Sequence, residues 1–153
     1  MNAVIDSALN TYARLEVETG VSGATPEMLI LMLYDGAIRE VTMAQLSLER
    51  DEVTAKARHV HKAYRIIEEG LRCALDTAAG GDIARNLGDL YDYMCQRLTL
   101  ANTRNDADAL AEVERLLVEL REAWGTLVSR QARLTPAPAE TDGRRESSSY
   151  GRV

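Results

Sequence analysis

Residue types that dictate disulfide frameworks, metal clusters or helix breaks are scarce in this chain of 153 residues. It has no phenylalanine, two cysteines and three prolines. Cys73 and Cys95 form neither a C-x-x-C pair nor a metal-type cluster, so we expect two reduced thiols. The prolines lie at positions 26, 136 and 138, and the long middle of the chain therefore lacks the strongest helix breaker.

The motifs of common cofactor and catalytic sites are also missing. The sequence contains no G-x-G-x-x-G, no G-K-[ST] and no H-E-x-x-H, which argues against a phosphate-binding loop and a zincin-type site. A di-iron helical bundle needs Glu-x-x-His pairs, but Lys56 and Arg58 stand three residues before His59 and His61. These histidines are two residues apart and so point to different faces of a helix. We therefore expect no enzyme, no cofactor and no metal site.

The balance of charge and hydropathy excludes two further classes of protein. Lys and Arg total 18 against 24 Asp and Glu, which gives a net charge of −6, whereas a duplex nucleic-acid binder needs a basic surface. The longest clearly apolar run, residues 28–34, is far shorter than the ~20 residues that span a bilayer. The N-terminus has no basic end and carries Asp6 early, unlike a secretory signal. We expect a cytoplasmic protein that neither binds nucleic acid nor inserts into a membrane.

The residues that start and interrupt helices along the chain predict four long helices and no strands. The helices are expected over about residues 26–48, 53–78, 83–104 and 107–132. Apolar residues recur in them at steps of three and four, as on one face of a helix. Thr25 and Pro26 have the residue types that start a helix. The residues expected to cap the other three helices are Asp51, Asp82, and Asn105 with Asp106.

Helices of similar length joined by short connectors pack antiparallel, so we predict an all-α, up-down-up-down four-helix bundle with a short N-terminal helical segment. The division into domains is then 1–24 as a mobile N-terminal segment, 25–133 as the bundle and 134–153 as a tail. The tail is rich in proline, serine and glycine, which favours disorder. Gly80 and Gly81 are expected to separate the second and third helices. Gly36, inside the first helix, is expected to mark a close helix crossing, because glycine is otherwise unfavourable there.

The first predicted helix carries more apolar surface than a bundle needs. Residues 28–34 cover the whole circumference of a helix, whereas a bundle buries one stripe about 100° wide. That stripe can be filled by Ile30, Leu33, Ala37, Val41, Ala44 and Leu48. The side chains left over are Met28, Leu31, Met32 and Ile38. They could be covered permanently by the N-terminal segment, form a homodimer interface, or line a groove that receives an amphipathic helix of another protein.

Several short fragments, each weak alone, occur in an order and spacing that is specific as a set. In the first two helices they are Ala24-Thr25-Pro26, Leu29, and residues 32–38, 66–68 and 75–76. In the last two they are Asn86-Leu87, Leu90-Tyr91, Tyr93-Met94, Arg97-Leu98, Ala101-Asn102, Glu112-Val113 and residues 120–124. Tyr12 with Val17-Glu18 precedes them. Together, over about residues 8–130, these fragments resemble the flagellin export chaperones of the FliS family; the very short connector at 49–52 and the tail after Arg133 depart from the pattern.

The resemblance implies a cytoplasmic chaperone with no cofactor. In that family an antiparallel bundle binds the disordered C-terminal segment of flagellin, prevents premature polymerisation and supports delivery to the flagellar type III export apparatus. The N-terminal segment can occupy the client's site in the free chaperone, which makes Ile5, Leu9 and Tyr12 the candidate lid. With the surplus apolar surface, the candidate partner-binding residues are Tyr12, Met28, Leu29, Leu31, Met32, Tyr34, Ile38, Tyr91, Met94 and Asn102.

Other interpretations of the same residues stay open. Tyr34 and Tyr91 can equally pack in the core with their hydroxyl groups on a polar partner, and Asn102 can cap or cross-link helices. The alternative for the protein as a whole is a helical-bundle adaptor that homodimerises through its first helix. We therefore expect flagellin and the export apparatus as partners, with self-association as the alternative.

Overall fold

The computed structural model describes residues 24–134, and this part of the chain consists of helices without strands. The helices are α1 (Pro26–Glu49), α2 (Val53–Arg65), α3 (Thr77–Arg104) and α4 (Ala107–Leu134). The second continues without a break into a π-helical segment, Ile66–Leu71. The all-α prediction is thereby confirmed. The N-terminal segment and nearly all of the tail lie outside the described residues, so the predicted domain boundaries stay predictions.

Side-chain pairs between helices show the antiparallel order of the bundle. On α1, Thr42 donates a hydrogen bond to Glu114 of α4 at 2.9 Å. Asp35, seven residues earlier on α1, accepts one from Arg121, seven residues later on α4, at 2.7 Å. Residue numbers therefore decrease along α1 in the direction in which they increase along α4, so these two helices are antiparallel. Short connectors reverse the chain between the remaining neighbours, and the predicted up-down-up-down bundle is confirmed.

A buried lysine joins α2 to the end of α3. Lys56 is 2% exposed, and its ammonium group donates to the carbonyl of Asn102 at 2.9 Å and to the side-chain oxygen of Asn105. Asn105 has the left-handed conformation that ends α3, with φ of 52°. A cation at a helix C-terminus is stabilised by the unpaired carbonyl groups there. The lysine therefore fixes where α3 ends and where the short turn to α4 begins.

Two of the predicted helix starts are confirmed, and the cap predicted for the second helix is wrong. Thr25 accepts a hydrogen bond from the backbone of Met28 at 3.2 Å, and Asp106 accepts one from Ala109 at 3.2 Å. Asp51 does not cap α2, because it adopts a left-handed turn with φ of 55°. Aspartate tolerates that conformation better than most residues, so its role is to reverse the chain.

The junction between α2 and α3 differs from the prediction. The second helical stretch ends at Leu71 rather than near residue 78, and α3 begins at Thr77 rather than near residue 83. The cap is Asp76, whose carboxylate accepts from two backbone amides at 3.1 and 3.0 Å, and not Asp82. Gly81 has φ of 58° and ψ of −133°, so the helical backbone is interrupted there, and the interruption expected at Gly80 and Gly81 is present as a kink within α3. The sequence around the junction is rich in alanine, which occurs on both buried and exposed helix faces. The spacing of its apolar residues therefore does not locate the break.

The core draws side chains from every described helix. Its largest fully buried members are Leu33, Val41, Ile67, Leu71, Met94, Leu98, Leu110, Val113 and Leu117. On α1 the buried stripe also takes in Leu29 and Tyr34, whereas Ile30 and Leu48 are only partly buried. The stripe is therefore rotated from the predicted one, because the run at 28–34 offers an apolar residue at every angle.

The close helix crossing occurs at a different glycine from the predicted one. A Cβ atom on Gly36 would lie 3.5 Å from Ile66, an ordinary van der Waals distance. A Cβ atom on Gly70, in the π-helical segment, would lie 2.9 Å from Leu33, which is too close for packed atoms. Gly70 thus sets the approach of the second helical stretch to α1, and the prediction for Gly36 is wrong.

Candidate partner-binding site

A groove of about 740 Å³ runs between the start of α1 and the second half of α4. One wall is apolar and belongs to α1; the other belongs to α4 and alternates small, polar and charged residues. The lining residues are Met28, Leu31, Arg121, Glu122, Gly125, Thr126, Val128, Ser129 and Arg133.

Two contacts hold the walls of the groove in place. The indole nitrogen of Trp124 donates to the carbonyl of Glu27 at 3.0 Å, which fixes the start of α1 against α4. Arg121, three residues earlier on α4, pairs with Asp35 of α1. Gly125, the residue after Trp124, contributes no side chain, and its missing Cβ would lie 3.8 Å from Leu31. Most of the groove therefore lies beyond these contacts, toward the end of α4.

Apolar side chains at this end of the bundle are unusually open to solvent. Met28 is 45% exposed, and Leu127 and Leu134 of α4 are 54% and 77% exposed. Leu31 and Val128 are half-buried in the groove. Methionine is flexible and polarisable, so it suits a surface that adapts to a partner. Of the three exposed side chains only Met28 lines the groove, and its exposure there indicates a binding surface.

The charges on the α4 wall are unevenly compensated. Asp35 accepts a hydrogen bond from Arg121, and this contact raises the pKa of the guanidinium group. Glu122 lies next to the same arginine and adds to its compensation. Arg133 is exposed, and among residues 24–134 no carboxylate lies within ion-pair distance of it. At the Arg121 end two carboxylates therefore accompany one arginine, whereas the other end carries the positive charge of Arg133.

The structure places the predicted partner-binding residues in different surroundings. Met28 and Leu31 line the groove, and Met32 and Ile38 are half-buried elsewhere on α1. The buried members are Leu29, Tyr34, Tyr91 and Met94. Asn102 is exposed near the end of α3, where its carbonyl receives Lys56. Tyr12 and the other candidate lid residues, Ile5 and Leu9, lie outside the described residues.

Tyr34 and Tyr91 meet in the core. Their hydroxyl oxygens lie 2.5 Å apart, so one hydroxyl donates to the other. Burial raises the pKa of both side chains. In the part of the chain that the structure covers, every buried side-chain polar atom has a hydrogen-bond partner, and this pair is how the two phenols satisfy that requirement.

The α4 wall was not among the predicted site residues. Arg121, Gly125 and Arg133 have no distinctive spacing in the sequence, and their relation to α1 depends on how the helices pack. Gly125 within a helical pattern is the one local signal, since an interior glycine usually has a packing or functional reason.

The described helices carry neither a candidate membrane span nor a metal-binding cluster. None of them is both long enough and apolar enough to cross a lipid bilayer. Over residues 24–134 there is no cluster of three or more histidine, cysteine, aspartate or glutamate side chains able to hold a metal ion.

Comparison with known proteins gives one family. The profile of the family described as Flagellar protein FliS matches residues 8–131. The chain is 49% identical over 118 residues to the Flagellar secretion chaperone FliS of Salmonella typhimurium, covering 77% of this chain and 87% of that protein. It is 41% identical over 117 residues to the Flagellar secretion chaperone FliSB of Pseudomonas aeruginosa, covering 76% and 92%. The FliS protein of Bacillus subtilis is 36% identical over 115 residues, covering 75% and 84%.

Proposed function

Because this chain belongs to the FliS family of flagellar proteins, we propose that it is a flagellar export chaperone that binds the disordered C-terminal segment of flagellin. In the cytoplasm it holds that segment, prevents premature polymerisation and supports delivery of the subunit to the type III export apparatus. The relatives at 49% and 41% identity carry the name flagellar secretion chaperone, which supports the general role.

The observation that carries the proposal is the groove between α1 and α4. A disordered client loses conformational entropy when it folds on its chaperone, so it must gain a large apolar contact surface. Met28 and Leu31 offer such surface, with the half-buried Val128 on the facing wall. An amphipathic helix laid in a groove is a recurrent way to provide it.

The candidate contact residues take different parts in this proposal. Met28 and Leu31 contact the client directly, and Met32 and Ile38 extend that surface along α1. The buried Leu29, Tyr34, Tyr91 and Met94 hold α1 in the orientation that shapes the groove. Asn102 lies near the C-terminal end of α3, at the end of the bundle opposite the groove. It therefore contacts a client only if the bound segment continues around the bundle.

The N-terminal segment enters the proposal as a lid. Residues 1–23 join the bundle at Ala24, directly before α1 and beside Met28. Ile5, Leu9 and Tyr12 would then cover the apolar wall until flagellin displaces them. Release at the export apparatus would follow from competition for the bound segment, without nucleotide hydrolysis.

A second candidate function is an adaptor that homodimerises through α1. The exposed Met28 and Met43 on that helix favour it. A concentration series in sedimentation equilibrium separates the two, since a dimer sealed through α1 would compete with client binding.

Gel filtration of a mixture with monomeric flagellin tests the proposal. We expect the intact flagellin to elute with this protein as one complex and to polymerise more slowly. Flagellin that lacks its C-terminal segment serves as the control and should elute alone. Separate elution of intact flagellin would refute the proposed function.

A further inference from the structure

The two walls of the groove differ in chemistry, and this difference restricts what can bind there. The α1 wall presents Met28 and Leu31, whereas the α4 wall presents mainly hydroxyl and charged groups around Gly125, with Val128 as its one apolar side chain. The hydroxyl of Thr126 already donates to the carbonyl of Glu122 at 3.0 Å. A bound segment must therefore be amphipathic, with its apolar side toward α1 and its polar side toward α4.

The charges along the α4 wall also give the groove a direction. Arg121 is compensated by Asp35 at 2.7 Å and by the neighbouring Glu122. Twelve residues later, at ~18 Å along a helix, Arg133 is exposed and has no ion-pair partner in the described range. A carboxylate on the bound segment would be repelled at the Arg121 end and attracted at the Arg133 end.

We propose that the groove receives a client segment as an amphipathic helix of about three turns whose one required acidic residue lies against Arg133. This rests on the proposed chaperone function and names the chemistry that the client must bring to this site. The helical form matches walls that are themselves helices, because side chains of one helix pack into the spaces between those of another. The length matches the distance between the two arginines, at 1.5 Å per residue.

Charge reversal at Arg133 with a matched control tests the proposal. The control is Arg130→Glu, because Arg130 is exposed on the same last turns of α4 but is not a lining residue. The probe is a fluorescent peptide with the C-terminal sequence of the organism's own flagellin. A second peptide carries lysine in place of each aspartate and glutamate. Binding is followed by fluorescence anisotropy, and circular dichroism checks that each variant is folded.

We expect Arg133→Glu to weaken binding of the natural peptide about tenfold, and Arg130→Glu to change it by less than about twofold. The lysine-substituted peptide should reverse this order and bind Arg133→Glu more tightly than the unsubstituted protein. Gly125→Leu, which places a bulky side chain in the floor of the groove, should weaken both peptides.

Three outcomes would overturn the proposal. Equal effects of the two charge reversals would show that no acidic residue of the client binds at Arg133. That result would leave the proposed chaperone function intact. Undiminished binding to Gly125→Leu would place the client elsewhere. Sedimentation of Gly125→Leu as a monomer and of the unsubstituted protein as a dimer would make a second copy the occupant. Failure of the unsubstituted protein to bind the natural peptide would instead refute the proposed function itself.

Discussion

The hydroxyl oxygen of Tyr34 lies 2.5 Å from that of Tyr91, and this buried contact joins α1 to α3. Both side chains are almost fully buried, at 3% and 2% exposure. Each phenol is the polar partner of the other, so neither leaves an unpaired group in the core. The pair fixes the rotation of α1, and with it the direction in which Met28 and Leu31 face.

Removal of one hydroxyl should therefore cost more stability than removal of both. We expect Tyr34→Phe or Tyr91→Phe to lower the free energy of unfolding by about 1–3 kcal/mol, because the remaining hydroxyl is buried without a partner. The double variant should lose less than either single variant, because it leaves no unpaired hydroxyl in the core. Urea denaturation of the four proteins completes the cycle, and strictly additive losses would show that the contact is not an energetic unit.

Alkaline pH should weaken the bundle through buried groups that resist ionisation. Burial raises the pKa of Cys95 from 9.0 to about 11, and the pKa of Tyr34 and Tyr91 is raised in the same direction. Because the unfolded chain loses these protons first, the stability that depends on them is complete below about pH 9 and falls as pH rises.

Urea denaturation between pH 8 and 10.5 measures this effect. Cys95→Ala should flatten the decline between pH 9 and 10, whereas Cys73→Ala, the matched control, should leave its slope unchanged. Equal slopes in all three proteins would show that Cys95 does not contribute.

Two helical glycines that face a neighbouring helix, Gly36 and Gly70, should respond oppositely to alanine. At Gly36 the added methyl group meets Ile66 at an ordinary distance, so the better helix propensity of alanine should stabilise the fold by up to about 1 kcal/mol. At Gly70 it would lie 2.9 Å from the buried Leu33, and overpacking of this kind costs about 1–3 kcal/mol. Thermal unfolding of both variants checks the contrast. A Gly70→Ala variant as stable as Gly36→Ala would mean that the crossing relaxes freely.

The sequence predicts the fold well where the signals are local. Thr25, Pro26 and Asp106 mark helix starts by side-chain chemistry that acts within a few residues. The break before α3 was misplaced, since Asp76 lies in alanine-rich sequence where a second aspartate, Asp82, offered a similar signal beside two glycines.

The candidate site was predictable in part only. The surplus of apolar residues on α1 was visible, and it includes Met28 and Leu31 of the groove. The rotation of α1 about its own axis could not be predicted, because seven consecutive apolar residues leave several faces equally suited to the core. The α4 wall depends on which residues of α4 meet α1, and that register follows from packing along the whole seam.

The lid proposal gives a prediction for a truncated protein. If residues 1–15 cover the groove in about nine molecules of ten, their deletion should raise the affinity for the flagellin C-terminal peptide about tenfold. The comparison uses the full-length and truncated proteins side by side, with circular dichroism as the control for folding. Unchanged or weaker binding would contradict a lid formed by Ile5, Leu9 and Tyr12.

The most direct measurement of the central claim is a calorimetric titration of the full-length protein with the C-terminal peptide of its own flagellin. The account predicts saturable binding, a negative heat-capacity change from buried apolar surface and a rise in helix content on mixing. The absence of binding with both the full-length protein and the protein lacking residues 1–15 would contradict the chaperone function and favour the adaptor.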